Sequence, residues 1–143
     1  MKESIFGAMS FNHGWTKKEV LNFWGTPTEL KIRVSCYPGE NPNEAQTDAY
    51  ESFKTGLAKV SEESLVKLSM FLSRDPESGL SSNLEKTVNE MKGVVHPFEV
   101  LFFKDGSYAI ECYTDWSEDG VSVLVKDDKM QVGYSDELLD GRI

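Results

Sequence analysis

A chain of 143 residues with 39% apolar residues, eight Phe, five Tyr and three Trp is long and aromatic enough to bury one hydrophobic core, which excludes the disordered class. Its formal net charge of -9 argues against nucleic acid and anionic membranes as direct partners, because both are held by Lys and Arg facing phosphate. The longest apolar stretch, residues 94–103, is broken by His96, Pro97 and Glu99 and falls far short of the ~20 residues of a membrane helix.

The amino terminus has no apolar h-region followed by a small-residue cleavage site, so it does not read as a secretory signal and a cytoplasmic location is expected. Residues 5–9 read as a first strand, followed by a turn at Asn12-His13-Gly14 and strands over 20–24 and 30–36. In the last of these Leu30, Ile32, Val34 and Cys36 share one face, and Gly14, Gly25 and Pro27 serve as turn residues. The period then changes. Asn41 is positioned to cap a helix with Pro42 at its first position and Glu44 in a capping box. Ala45, Ala49, Phe53 and Leu57 follow at spacing four as its core-facing stripe. Ser61 opens a second helix, with Leu65, Leu68 and Leu72 inward and Asp75-Pro76 as its stop. A third begins at Ser82 with a capping-box Glu85, carries Leu84, Val88 and Met91, and ends at Gly93.

The remainder predicts an antiparallel meander. Residues 98–103 are apolar on both faces, as a central strand requires, and Asp105-Gly106 is a hairpin turn. Alternating strands follow over 108–113, 121–126 and 130–134, with Asp127-Asp128 between the last two. The fold class is therefore α+β: an antiparallel sheet of about six to seven strands with three helices, inserted between N-terminal and C-terminal strands, packed on one face. No linker or repeat divides the chain, so residues 1–143 are read as one domain.

Catalytic and metal motifs are weak. His13 and His96 lie in no HExxH or GxSxG context. Residues 115–120 imitate the start of a calcium loop, but the twelfth position from Asp115 is Lys126, where a bidentate Glu is needed. No phosphate-binding glycine pattern occurs, and no cofactor, metal or catalytic residue is assigned. Cys36 and Cys112 lack metal or redox spacing and are expected to be buried free thiols; a disulfide between them stays open, though a cytosolic setting would keep it reduced. What stands out is acid. Asp115, Glu118, Asp119, Asp127, Asp128, Asp136, Glu137 and Asp140 fall in turns or the tail, expected to gather at two ends of the sheet. Glu40, Glu44, Asp48 and Glu51 recur at spacings of four, four and three, which is one helical face. Trp116, between carboxylates, either folds back onto the core or supplies the aromatic anchor of a binding surface.

Several short motifs together resemble a group of small bacterial proteins: Gly14-Trp15 in an early strand, Gln46, Ala49-Tyr50 and Phe53 in the first helix, a late "DW-x-E-x-G" turn at residues 115–120, and the ending Val132-Gly133-Tyr134-Ser135-Asp136. Those proteins are similar to the immunity proteins of polymorphic toxin and contact-dependent growth inhibition systems. The resemblance implies a small acidic cytoplasmic protein, not an enzyme, that neutralises a cognate toxin domain, often a basic nuclease; it assigns no binding residue. From the charge pattern we expect Trp116 as anchor, with Glu118, Asp119, Glu44, Asp48 and Glu51 supplying charge. An alternative reading is a small hydrolase or ligand-binding protein with a cleft between helices and sheet, its perturbed groups near His13, Glu111 or Asp115. A housekeeping interaction domain is a third.

Overall fold

In the computed structural model, which describes residues 6–80 and 84–139, the chain forms a seven-stranded sheet. The strands run in chain order: β1 (Ser10–Phe11), β2 (Trp15–Phe23), β3 (Thr26–Val34), β4 (Val95–Phe102), β5 (Tyr108–Thr114), β6 (Val121–Lys126) and β7 (Lys129–Tyr134). Three helices, α1 (Glu44–Thr55), α2 (Leu57–Ser73) and α3 (Leu84–Val94), intervene between β3 and β4. A short α4 (Ser135–Leu138) closes the described chain. The class is the expected α+β, with one difference in the sheet. β3 and β4 pair in parallel, Lys31 opposite Glu99 through Val34 opposite Phe102, while every other neighbouring pair is antiparallel. A chain that leaves β3 through helices and returns beside it has room for the crossover that a parallel pair requires.

Tight turns arise where the sequence tolerates left-handed backbone. Trp24 and Gly25 (φ 55° and 78°) join β2 to β3, and Asp127 and Asp128 (φ 50° and 64°) join β6 to β7, the two-residue geometry that matches strand twist. Trp24 is an unusual choice at positive φ. It is held by α2: its backbone N–H donates to Ser61 Oγ at 2.7 Å and its indole N–H to Ser64 Oγ at 3.1 Å. Both serines are buried, and their hydroxyls satisfy donors that burial would otherwise leave unpaired.

Several expected boundaries move. The first strand is Ser10–Phe11 and not residues 5–9, of which Ile5 lies outside the described residues. Pro27 sits inside β3, opposite Asn22 and beyond the segment paired with β4, where its missing N–H is tolerated. The cap of α1 is Asn43 rather than Asn41: its side chain accepts from Gln46 N at 2.8 Å, and Gln46 Oε1 accepts from Asn43 N at 3.0 Å. The helix also presents a different face from the expected stripe. Gln46, Tyr50 and Phe53 face the core, whereas Ala49 is only half-buried and Ala45 exposed. Leu57 begins α2, which starts four residues before Ser61. The Ser82–Glu85 capping box lies outside what is described.

The main core lies between the helices and one sheet face. Phe102 is fully buried at its centre, with Phe6, Tyr50, Phe53 and Tyr108 ring centroids 5.4 to 6.3 Å away. Aromatic groups so placed add ring-on-ring attraction to their buried area. The opposite face is covered in part: Leu138 and Leu139 close over Leu101, Phe103, Ala109 and Leu124, so α4 protects an apolar patch on the face the three long helices leave open. Cys36 and Cys112 are both free, and burial, with Glu40 and Glu111 respectively adding to it, pushes each thiol up. Among the described residues no helix is long and apolar enough to cross a membrane.

Candidate functional site

The meander distributes its acidic turns between two ends of the sheet, because successive hairpin turns alternate ends. The turns after β4 and β6 share one end; the turn between β5 and β6, with Trp116, Glu118 and Asp119, lies at the other. Helix α1 belongs to the first end. Asn43 Nδ2 donates to Lys104 O at 3.1 Å, which seats the helix start on the β4–β5 turn. The charged residues expected to act together are therefore divided. Asp48 joins Asp105, Asp127 and Asp128, while Glu118 and Asp119 are exposed a strand length away. Glu44 and Glu51 are exposed on α1 beside Asp48, and Glu40 precedes the helix, paired with Lys104 at 2.8 Å. Trp116 is folded partly onto the main core, its indole N–H buried and without a partner among the described residues. The glycine of its turn is structural: a Cβ on Gly120 would stand 2.2 Å from Cys112 O, so no larger residue fits there.

Where Asp48 lies, a groove of about 430 Å³ runs between α1, α2 and the two hairpin turns. Its rim carries Asp48, Glu63, Asp105, Asp127 and Asp128, with Lys59 as the cation among the described lining residues and Lys126 reaching Asp105 from outside the lining. Asp105 is already engaged, accepting from Ser107 N at 2.9 Å and pairing with Lys126 at 3.2 Å; burial works against its charge, but these hydrogen bonds and Lys126 hold its carboxyl below the usual range. Glu63 meets Lys59 at 3.8 Å across an exposed helical turn, a weak pairing. Asp48, Asp127 and Asp128 have no ion pair among the described residues. The groove also has an apolar lining, Ala45, Ala49, Val60, Val125 and Met130, with Tyr108 below. Met130 is shared with a second groove of about 640 Å³ between α2 and β7, lined by Met70, Phe71, Pro76 and Val132 among others. One end of the molecule thus presents unpaired carboxylates beside apolar surface. The signal in the sequence was the Asp-rich turns; the contribution of Glu63 and Tyr108 had none.

Other charged groups are internally compensated. Glu19 accepts from Lys54 at 2.5 Å and Tyr50 at 3.1 Å, with Lys17 beside it at 3.7 Å. Burial disfavours its charge, yet those partners outweigh burial and hold its carboxyl low, which fastens α1 to β2.

The residues of the alternative reading separate as well. His13 is a turn residue (φ 55°) whose carbonyl, with that of Asn12, accepts from Arg33 at 2.8 and 2.6 Å. Asp115 meets His96, Oδ1 to Nε2 at 3.0 Å, and the imidazole stacks on Tyr113 with ring centroids 4.7 Å apart. No hydroxyl or thiol joins that pair among the described residues, so it lacks the nucleophile of a hydrolytic triad. His96 borders a groove of about 370 Å³ against the β2–β3 hairpin, with Glu29 and Lys92. Glu111 lies elsewhere, on the sheet face opposite the helices and directly across from Glu99, which Arg33 Nε holds at 3.0 Å.

Burial, then the hydrogen bond and charge of Glu99, push the Glu111 carboxyl up to about 8, with Arg33 opposing. The folded state therefore holds a proton that the unfolded chain, titrating at the ordinary 4.5, releases earlier. The associated stability is complete below that ordinary value and is lost as pH rises through about 8. Glu111→Gln, which keeps a neutral hydrogen-bonding group there, is expected to flatten this dependence. Relative to the parent it should gain about 1 kcal/mol in urea melts between pH 5 and pH 8, after allowance for partial solvation. Equal pH slopes for the two proteins would show that Glu111 titrates normally.

Among the described residues no group of three or more His, Cys, Asp or Glu side chains is placed to hold a metal ion. Comparison of the chain with protein families, curated proteins and solved structures finds no match.

Proposed function

We propose that the protein is a non-catalytic binder that neutralises a basic partner protein, as an immunity protein neutralises its cognate toxin domain. The observation that carries this reading is the groove whose rim gathers five carboxylates, of which Asp48, Asp127 and Asp128 have no ion pair among the described residues. Its acids come from α1, α2 and two hairpin turns, so the fold itself concentrates them. Beside it lies a groove with apolar surface at Met70 and Phe71 and with Lys67, Arg74 and Asp75 also in its lining, and apolar anchors bordered by charge are how protein interfaces combine affinity with steering. The net charge of -9 extends the same field over the molecule and accelerates encounter with a cationic surface. The resemblance of the short motifs to immunity proteins points the same way.

The test is capture by the tagged protein of the product of the adjacent upstream gene, at low and moderate salt. The expected result is a complex with a basic domain whose activity is lost on binding. Capture of an acidic or neutral protein that binds equally well after the groove acids are reversed would sink the proposal. The hydrolase reading draws on Glu111, whose raised titration is the kind seen in acid–base residues. Glu111 lines none of the grooves described above, which favours binding over catalysis.

A further inference from the structure

Tyr108 opens β5 at the base of the acidic groove and is 95% hidden, only 5% of its surface being exposed. Its ring is wedged between Phe53 and Phe102, with centroids 5.3 and 5.4 Å away. Its hydroxyl has no hydrogen-bond partner among the described residues. The hydroxyl oxygen is not itself sealed, because the side-chain N or O atom that is both buried and unpartnered among the described residues is Trp116 Nε1; the small exposed part of Tyr108 opens on the groove that it lines. The groups whose charge it feels are Asp128 and Glu63, which, after burial, keep its proton on. Both line the groove together with Tyr108.

We propose that this groove is the receptor for one arginine side chain presented by a basic partner protein, the guanidinium lying among Asp48, Glu63 and Asp128 and donating to the Tyr108 oxygen. The proposal rests on the basic-partner reading and adds the chemical group that is recognised. Arginine fits better than lysine on three grounds. Its planar fork offers five donors, enough for carboxylates approaching from α1, α2 and a turn together with a phenolic oxygen. A guanidinium is less strongly hydrated than an ammonium, so it enters a half-closed groove more readily. Its three-carbon stem has apolar wall to lie on, at Ala49, Val60 and Met130. Asp127 and Asp128 already sit in the left-handed two-residue turn, so the acids need little reordering when the cation arrives.

The probes are the blocked tripeptides Gly-Arg-Gly, Gly-Lys-Gly and Gly-Gln-Gly, titrated at low salt against the full chain while amide resonances are followed. The arginine peptide is expected to shift signals of residues 45–49, 59–63, 105–108 and 125–130. The lysine peptide should bind several-fold more weakly and the glutamine peptide should cause no shift. Tyr108→Phe keeps the ring packing and should weaken the arginine peptide about three- to ten-fold, with the melting temperature unchanged or raised. Failure of the arginine peptide to perturb these residues, or unaltered binding to Tyr108→Phe, overturns the inference. So does a lowered melting temperature of Tyr108→Phe, because the hydroxyl would then serve the fold. A captured basic partner indifferent to Tyr108→Phe would overturn this inference and leave the acidic-surface reading standing. Arginine-peptide binding without any basic partner would support the groove chemistry and remove that reading.

Discussion

Reversing two groove acids, Asp48→Lys with Glu63→Lys, is expected to slow association with a basic partner about 10- to 100-fold at low ionic strength, since steering contributes factors of this order. Both side chains are exposed on helices, so the fold should tolerate the change. Glu63 would lose only its 3.8 Å contact with Lys59. The matching control is Glu118→Lys with Asp119→Lys, in the turn between β5 and β6. Net charge changes equally in the two double variants. The seven residues of β5 separate the two ends by roughly 23 Å at the usual rise, about twice the ~10 Å screening length at 0.1 M salt. Stopped-flow association at 20 and 150 mM salt decides the matter. A loss confined to the groove pair places the contact at the α1–α2 end; equal losses from both pairs would mean that only the overall field matters; a loss confined to Glu118 and Asp119 would restore the Trp116 end as the docking surface.

The largest effect expected on stability is from Gln46→Leu. Gln46 is 1% exposed and uses both ends of its amide. Nε2 donates to Ser35 O at 2.7 Å and to Phe102 O at 3.2 Å, while Oε1 accepts from Asn43 N at 3.0 Å. One side chain therefore closes the helix cap and satisfies carbonyls where β3 and β4 end side by side. Leucine has similar volume and would bury as well, but it leaves Ser35 O and Asn43 N without this partner, at about 1–3 kcal/mol each where water cannot reach them, while Phe102 O keeps its bond from Ser35 N at 2.9 Å. We expect a loss of about 3 kcal/mol, seen as a lower urea midpoint with the slope unchanged. Gln46→Glu should fall nearly as far, because a carboxylate cannot donate to Ser35 O. Near-parent stability for Gln46→Leu would contradict the role assigned to this amide.

Local rules account for the meander and much less for the site. The strands over residues 108–134 are legible because alternation, β-branched runs and turn residues act over a few positions: Val121, Val123 and Val125 announce a strand, and Asp127-Asp128 is read as a break wherever it occurs. Helix positions in the middle are equally local, but the face they present is not. The stripe Ala45, Ala49, Phe53 suggested one orientation of α1. The choice of Asn43 as cap and the burial of Gln46 and Tyr50 set another, decided by what β3 and β4 offered as partners. Periodicity cannot see a core glutamine, because its burial is favourable only once those carbonyls are placed.

By itself the sequence determined an α+β chain with three central helices, an acidic surface and Asp-bearing turns, since each follows from short-range propensity and from composition. Only the tertiary structure decided that β3 and β4 run parallel, that Trp116 with Glu118 and Asp119 lies at the opposite end from Asp48, and that Asp48, Glu63, Asp128 and Tyr108 meet around one groove. Those four residues are spread over 81 positions of chain, from 48 to 128. Their meeting depends on strand register and on the way α1 and α2 seat against the sheet, both set by long-range packing, to which no local pattern is sensitive.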